Sequence, residues 1–196
     1  MPVMRPTRIF ETVLYAEDLV AAERFYRDAV GLEVIARGDL AVVFRCGGGV
    51  LLIFDPRKSN APGRDVPSHG TYGAGHIAFA AKPEELNAWR KQLREAGIPI
   101  EREVDWDEGG RSLHFRDPAG NIVELAPATI WGGGWGVLTE MASSNQTKKP
   151  TNEMFDVPCT IFDLATASAV AYHSHFSNIF GRGQLLTYAE GIHQSE

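Results

Sequence analysis

The sequence predicts an α+β fold of two βαβββ modules followed by a C-terminal extension, and three observations carry that reading. Between residues 8 and 127 the order strand, helix, strand, strand, strand occurs twice, with little direct identity between the copies. In both copies the helical stretch repeats its apolar residues at three and four, while the strand stretches are short and bounded by Gly, Asp and Pro turns. After Trp131 the pattern stops at Gly132-Gly133-Gly134-Trp135-Gly136. Residues 1–131 therefore read as one domain, with modules at about 8–55 and 73–127, and residues 132–196 as an extension of unassigned role.

Module one opens with a strand over 9–15. Asp18 suits the N-cap of a helix whose apolar stripe is Leu19, Ala22, Phe25, Tyr26, Ala29 and Val30, and Gly31 ends it. Strands over 33–37, 40–45 and 50–54 follow, with turns at Gly38-Asp39 and Gly47-Gly48-Gly49. The glycine triplet lies between two strands and precedes no helix, so it is read as a hairpin turn and not a phosphate loop. Residues 55–71 form a polar, Pro- and Gly-rich connection, long enough to be functional or a linker, in which His69 is expected to be solvated.

Module two repeats the order. A strand over 75–79 carries His76. A helix starts near Pro83, presents Leu86, Trp89, Leu93 and Ala96 on one stripe, and stops at Gly97. Strands over 100–104, 111–116 and 121–126 are separated by turns at Asp107-Glu108-Gly109-Gly110 and Asp117-Pro118-Ala119-Gly120. In the extension, residues 161–180 have the apolar content of a helix, and residues 143–152 read as a polar linker.

Bulk properties narrow the function. The formal charge of −6 leaves no basic footprint, so nucleic acid is not an expected partner. No apolar run is long enough for a bilayer span, and Met1-Pro2-Val3-Met4-Arg5-Pro6 lacks the apolar core of a leader, so neither a membrane nor export is expected and the location predicted is cytoplasmic. Two cysteines, Cys46 and Cys159, make no disulfide framework and no zinc knuckle; Cys46 reads as a packing residue.

Three strands carry a polar residue in an apolar setting. At period two, Glu11 shares a face with Ile9, Val13 and Tyr15; His76 shares one with Ala78 and Ala80; Glu124 shares one with Ile122 and Ala126. On strands apolar on both faces such groups must be paired, neutralised or bound to a cation. One imidazole and two carboxylates from three strands make a ligand set for a divalent metal, Mn²⁺, Fe²⁺, Ni²⁺ or Zn²⁺. Ser112, His114 and Arg116 share a further face. There His114 is a candidate base or substrate hydrogen-bonder, Arg116 a candidate anion holder, and Tyr15 on the Glu11 face a candidate donor to substrate.

The run from Glu11 through Asp18-Leu19, Phe25-Tyr26 and Gly31-Leu32-Glu33-Val34, together with Gly75-His76-Ile77-Ala78-Phe79 and Phe115-Arg116-Asp117-Pro118-Ala119-Gly120-Asn121-Ile122-Val123-Glu124-Leu125, resembles the vicinal oxygen chelate superfamily. Its members include glyoxalases, fosfomycin-resistance thiol transferases, methylmalonyl-CoA epimerase, extradiol ring-cleaving dioxygenases and bleomycin-binding proteins. The resemblance covers about residues 8–131 and implies a cup-shaped sheet with helices outside. It puts the family's metal positions on Glu11, His76 and Glu124, with Glu11 where His or Gln is usual. A fourth position, used by glyoxalases and epimerases, falls near Leu52, which cannot ligate, and this leaves a three-ligand site with open positions. The implied function is a metal-dependent lyase, isomerase or thiol transferase acting on a small oxygenated substrate chelated to the metal. A metal-free drug-sequestering protein of the bleomycin-resistance type is the alternative, and a ring-cleaving dioxygenase the next. The resemblance also implies a homodimer, and it leaves open whether module one of one chain pairs with module two of the other or with its own.

Overall fold

The structure, a computed structural model, describes residues 3–107 and 109–131. The linker expected at 143–152, the helix expected at 161–180 and Cys159 lie outside them. The described chain forms two four-stranded sheets that divide between two units. Of the described residues, the first unit takes the chain up to Gly75 with the turn Asp117–Asn121; the second takes His76–Arg116 and residues 122–131.

In the first unit, β1 (Glu11–Tyr15), β2 (Glu33–Arg37), β3 (Ala41–Cys46) and β4 (Gly49–Phe54) order as β1-β4-β3-β2, with β1 parallel to β4 and the rest antiparallel. The parallel pair needs a crossover, and the helix after β1 begins it. That helix is α1 (Leu19–Arg24), continued by a π-helical turn over Phe25–Ala29. Asp18 caps it as expected, its Oδ1 accepting the Ala21 N–H at 2.9 Å. The predicted stripe is buried through Ala22, Phe25, Tyr26 and Ala29. The glycine triplet closes the β3–β4 hairpin, with Cys46 opposite Gly49 and Gly47 at φ +54°.

One difference from expectation lies in the 55–71 connection. It opens with a short helix, α2 (Pro56–Ser59), whose N-cap Asp55 accepts the Arg57 N–H at 2.9 Å. The signal was present as a capping residue followed by Pro at the first helical position.

In the second unit, β5 (His76–Ala80), β6 (Arg102–Asp105), β7 (Arg111–Arg116) and β8 (Ile122–Ala126) repeat the same order, β5-β8-β7-β6, with β5 parallel to β8. Its helix, α3 (Leu86–Glu95), follows a 3₁₀ turn at Pro83–Glu85 and buries Leu86 and Leu93; Ala96, placed on the stripe by the sequence, is instead its exposed C-cap.

Candidate functional site

Register builds the site in the second unit. His114 of β7 stands opposite Glu124 of β8, and Ala78 of β5 stands opposite Glu124 from the other side. His76 pairs with Ile122, so it is the diagonal neighbour of Glu124 on the same face. The side chains follow the register: His76 Nε2 lies 3.1 Å from Glu124 Oε2, and His114 Nε2 lies 3.4 Å from Glu124 Oε1. The two imidazoles meet edge to face with centroids 6.3 Å apart.

The burial of these groups is uneven. Glu124 is 5% exposed, as its strand predicts. The expectation of a buried His76 is corrected, because its side chain is 51% exposed. The reason is topological: β5 is an edge strand, and His76, Ala78 and Ala80 are all exposed. Glu11 is corrected in the same way. Strand β1 begins at Glu11, not Ile9, and is also an edge; Glu11 is exposed, as are Ile9 and Phe10.

Two buried atoms in this cluster make no hydrogen bond, Glu124 Oε1 and His114 Nδ1. A carboxylate oxygen out of water without a donor is costly, so each such atom calls for a partner. A divalent cation held by Glu124 and His76 would supply one for the carboxylate, and a donor set of imidazole and carboxylate fits the borderline and hard ions named above. Among the described residues no group of three or more His, Cys, Asp or Glu is gathered at metal-holding spacing. His76, His114 and Glu124 belong to the second unit, and Glu11 and Tyr15 to the first. Arg116, at the end of β7, forks onto Glu101, with Nε to Oε2 at 2.6 Å and Nη2 to Oε1 at 3.1 Å.

The corresponding face of the first unit is apolar. By register Leu52 is the counterpart of Glu124 and Val43 the counterpart of His114, and both are packed in a cluster with Ala36, Ala41 and Phe54. No ligand is possible at Leu52, as expected. Tyr15, at the end of β1, is half-buried, and its hydroxyl is 2.9 Å from His69 Nδ1. Burial pushes the Tyr15 hydroxyl up, and the charge of Arg64 opposes that. His69 is therefore not a solvated loop residue. Its ring stands edge-on to Phe54 at 4.8 Å, and burial, helped by Arg64 and opposed by Glu11, holds it below the usual imidazole range. Sequence reading missed His69 and Arg64 as a pair of interest, since only the length of the connection marked the stretch. A cleft of about 310 Å³ in the same unit is lined by Tyr15, Glu17, Asp18, Pro56, Tyr72 and Pro118, among others. Cys46 is half-buried, and burial pushes its thiol up, which fits packing and not nucleophilic use.

Comparison with known proteins agrees with the motifs. Metallothiol transferase FosB of Staphylococcus epidermidis is 29% identical over 107 residues, which are 54% of this chain and 73% of that protein. The crystal structure of lactoylglutathione lyase from Agrobacterium tumefaciens is 41% identical, with a TM-score of 0.63, covering 66% of this chain and 99% of that one. A glyoxalase/bleomycin resistance protein/dioxygenase from Nocardioides is 25% identical, with a TM-score of 0.54, over 64% of this chain and 85% of that one. The family model matches residues 8–125, and the chain belongs to the Glyoxalase/Bleomycin resistance protein/Dioxygenase superfamily.

Proposed function

We propose that this chain is a metal-dependent enzyme of the lyase or thiol-transferase type, acting on a small molecule through oxygens presented to a divalent metal. The observation that carries the reading is the buried Glu124 carboxylate between two imidazoles, with Oε1 lacking any hydrogen bond. The names of the relatives support the class, since one is a metallothiol transferase and another a lactoylglutathione lyase. His76 and Glu124 would hold the ion, Mn²⁺, Fe²⁺, Ni²⁺ or Zn²⁺, and Glu11 of module one, from this chain or a second copy, would complete the set. When bound, the ion supplies Lewis-acid stabilisation of negative charge on substrate oxygen.

The protein's own groups do the rest. Glu124 is itself buried, so its charge would act on a bound ion more strongly than a surface carboxylate would. His114, fixed opposite Glu124 by the β7–β8 register, is positioned to take or return a proton on substrate. Arg116 would share its guanidinium between Glu101 and an anionic substrate group. Tyr15 would donate its hydroxyl to substrate, with His69 setting the direction of that hydrogen.

Elemental analysis of the untagged protein tests the reading. Near-stoichiometric transition metal is expected in the parent and its loss in Glu124→Ala. A parent that is empty, and that gains neither metal nor thermal stability from added Mn²⁺, Fe²⁺, Ni²⁺ or Zn²⁺, sinks it. A thiol requirement in an activity panel then separates transferase from lyase.

A further inference from the structure

The connection after β4 is folded on itself in a way that leaves one donor group unused. The carbonyl of Ser59 accepts both the His69 N–H, at 3.1 Å, and Arg64 Nη1, at 2.7 Å. Ser68 Oγ donates to the Ala61 carbonyl at 2.8 Å, which ties the connection again between those points. Arg64 is thus held by one arm of its guanidinium. The other arm, Nη2, is buried and makes no hydrogen bond. A charged donor in that state is costly and calls for an acceptor.

The surroundings of Arg64 indicate what the acceptor is. Its guanidinium carbon lies 6.0 Å from the centre of the Phe54 ring, the same ring against which His69 packs. His69 in turn meets the Tyr15 hydroxyl. Three polar groups with hydrogens to donate, a guanidinium, an imidazole and a phenol, therefore gather around one aromatic side chain. The positive charge of Arg64 reaches both others, opposing the upward push of burial on Tyr15 and adding to its downward push on His69. His69 is in consequence neutral at neutral pH and can donate from one ring nitrogen while accepting at the other.

We infer that Arg64, Tyr15 and His69 form a binding site for a small oxyanion, a carboxylate or a phosphonate. The unbonded Nη2 arm supplies a charge-assisted hydrogen bond to one oxygen of such a group, and the Tyr15 hydroxyl supplies a further donor. Only the identification of this anion with the substrate's own acidic group rests on the function proposed above; the site itself does not.

The full-length, metal-free protein with ¹³C-labelled histidine rings allows a direct test. Methylphosphonate and acetate are titrated separately at ionic strength fixed with chloride, and the His69 ring signal is assigned by its loss in His69→Gln. The expected result is a saturable shift of the His69 signal with at least one anion. The anion that saturates at lower concentration identifies the preferred group. Arg64→Gln is expected to weaken binding about tenfold or more, because the charge-assisted hydrogen bond from Nη2 is lost. Tyr15→Phe, which keeps the ring and removes only the hydroxyl, should weaken it severalfold. Glu124→Ala should leave it unchanged, so failure of the metal site and failure of the anion site are read separately. Absence of a saturable shift in the parent, or parental affinity in both Arg64→Gln and Tyr15→Phe, overturns the inference.

Discussion

Asp117 shows how a single residue holds the first unit together. Its Oδ1 accepts the N–H groups of Ala119, at 2.9 Å, and Asn121, at 2.8 Å. Its Oδ2 accepts the Tyr26 hydroxyl at 3.0 Å and Asn121 Nδ2 at 2.8 Å. Asp117, Tyr26 and Asn121 are all buried, so loss of the acceptor strands donors away from water. Asp117→Ala should cost on the order of 3 kcal/mol in urea unfolding, and Tyr26→Phe, which removes one donor and leaves the rest, about 1 kcal/mol. Equal effects of the two changes would contradict this account. His69 gives a prediction with a sign. Its folded pKa lies below the ordinary value of 6.5, so as pH falls through 6.5 the unfolded chain takes up the proton first. Stability should therefore decline as pH drops below that value and not respond to His69 above it. In His69→Gln, melting curves at pH 5 and pH 7.5 should differ less than in the parent. At this scale the sequence was a partial guide. Glu124 was legible as a buried carboxylate because both of its flanking faces are apolar. The same argument makes Glu11 and His76 buried, and they are not, since period two reveals a face but not whether the strand lies at a sheet edge.

The elements were more legible than the residues, because periodicity and turn chemistry act over several positions at once. Strands 33–37 and 111–116 fall where expected, and the Asp18 cap and the Pro83 helix start are as read. The short helix after Asp55 was not legible as such, because four residues are too few to show a period. Where the chain enters β5, a close approach replaces periodicity as the constraint. Gly75 donates its N–H to Asn121 Oδ1 at 2.7 Å, and a Cβ there would stand 2.8 Å from Leu14 Cδ2 and 3.1 Å from Asn121 Oδ1. Gly75→Ala must therefore displace either a buried leucine or the amide that receives the strand's first hydrogen bond. The expected cost is about 1–3 kcal/mol, the range for overpacking. Because His76 is the next residue, the metal affinity proposed for His76 and Glu124 should fall in the same variant. A Gly75→Ala protein with parental stability and parental metal content would show that this approach does not constrain the strand. For comparison, Asp18→Ala should lower stability by about 1 kcal/mol through loss of the α1 cap, with metal content unchanged.

At the scale of the whole molecule, both sheets end in an edge strand that carries a candidate ligand, Glu11 on β1 and His76 on β5. Unpaired edges of this kind are templates for pairing with another strand. The family resemblance implies a homodimer, and exchange of modules, with module one of each chain paired to module two of the other, is the arrangement that would use both edges. Sedimentation equilibrium should then give twice the 21.5 kDa chain mass. Such a dimer would combine the Glu11 of one copy with the His76 and Glu124 of the other, which mixing two defective variants can detect. Glu11→Ala and Glu124→Ala should each bind little metal alone. Unfolded together and refolded at equal concentration, they give heterodimers as about half of all dimers. In a heterodimer with exchanged modules, one of the two sites draws its Glu11 and its Glu124 from intact positions. The mixture should recover about a quarter of the parental metal content. If each chain instead pairs its own modules, every site keeps one defect and mixing recovers nothing. Recovery would thus place the site between copies, and its absence in a verified heterodimer would place it within one chain.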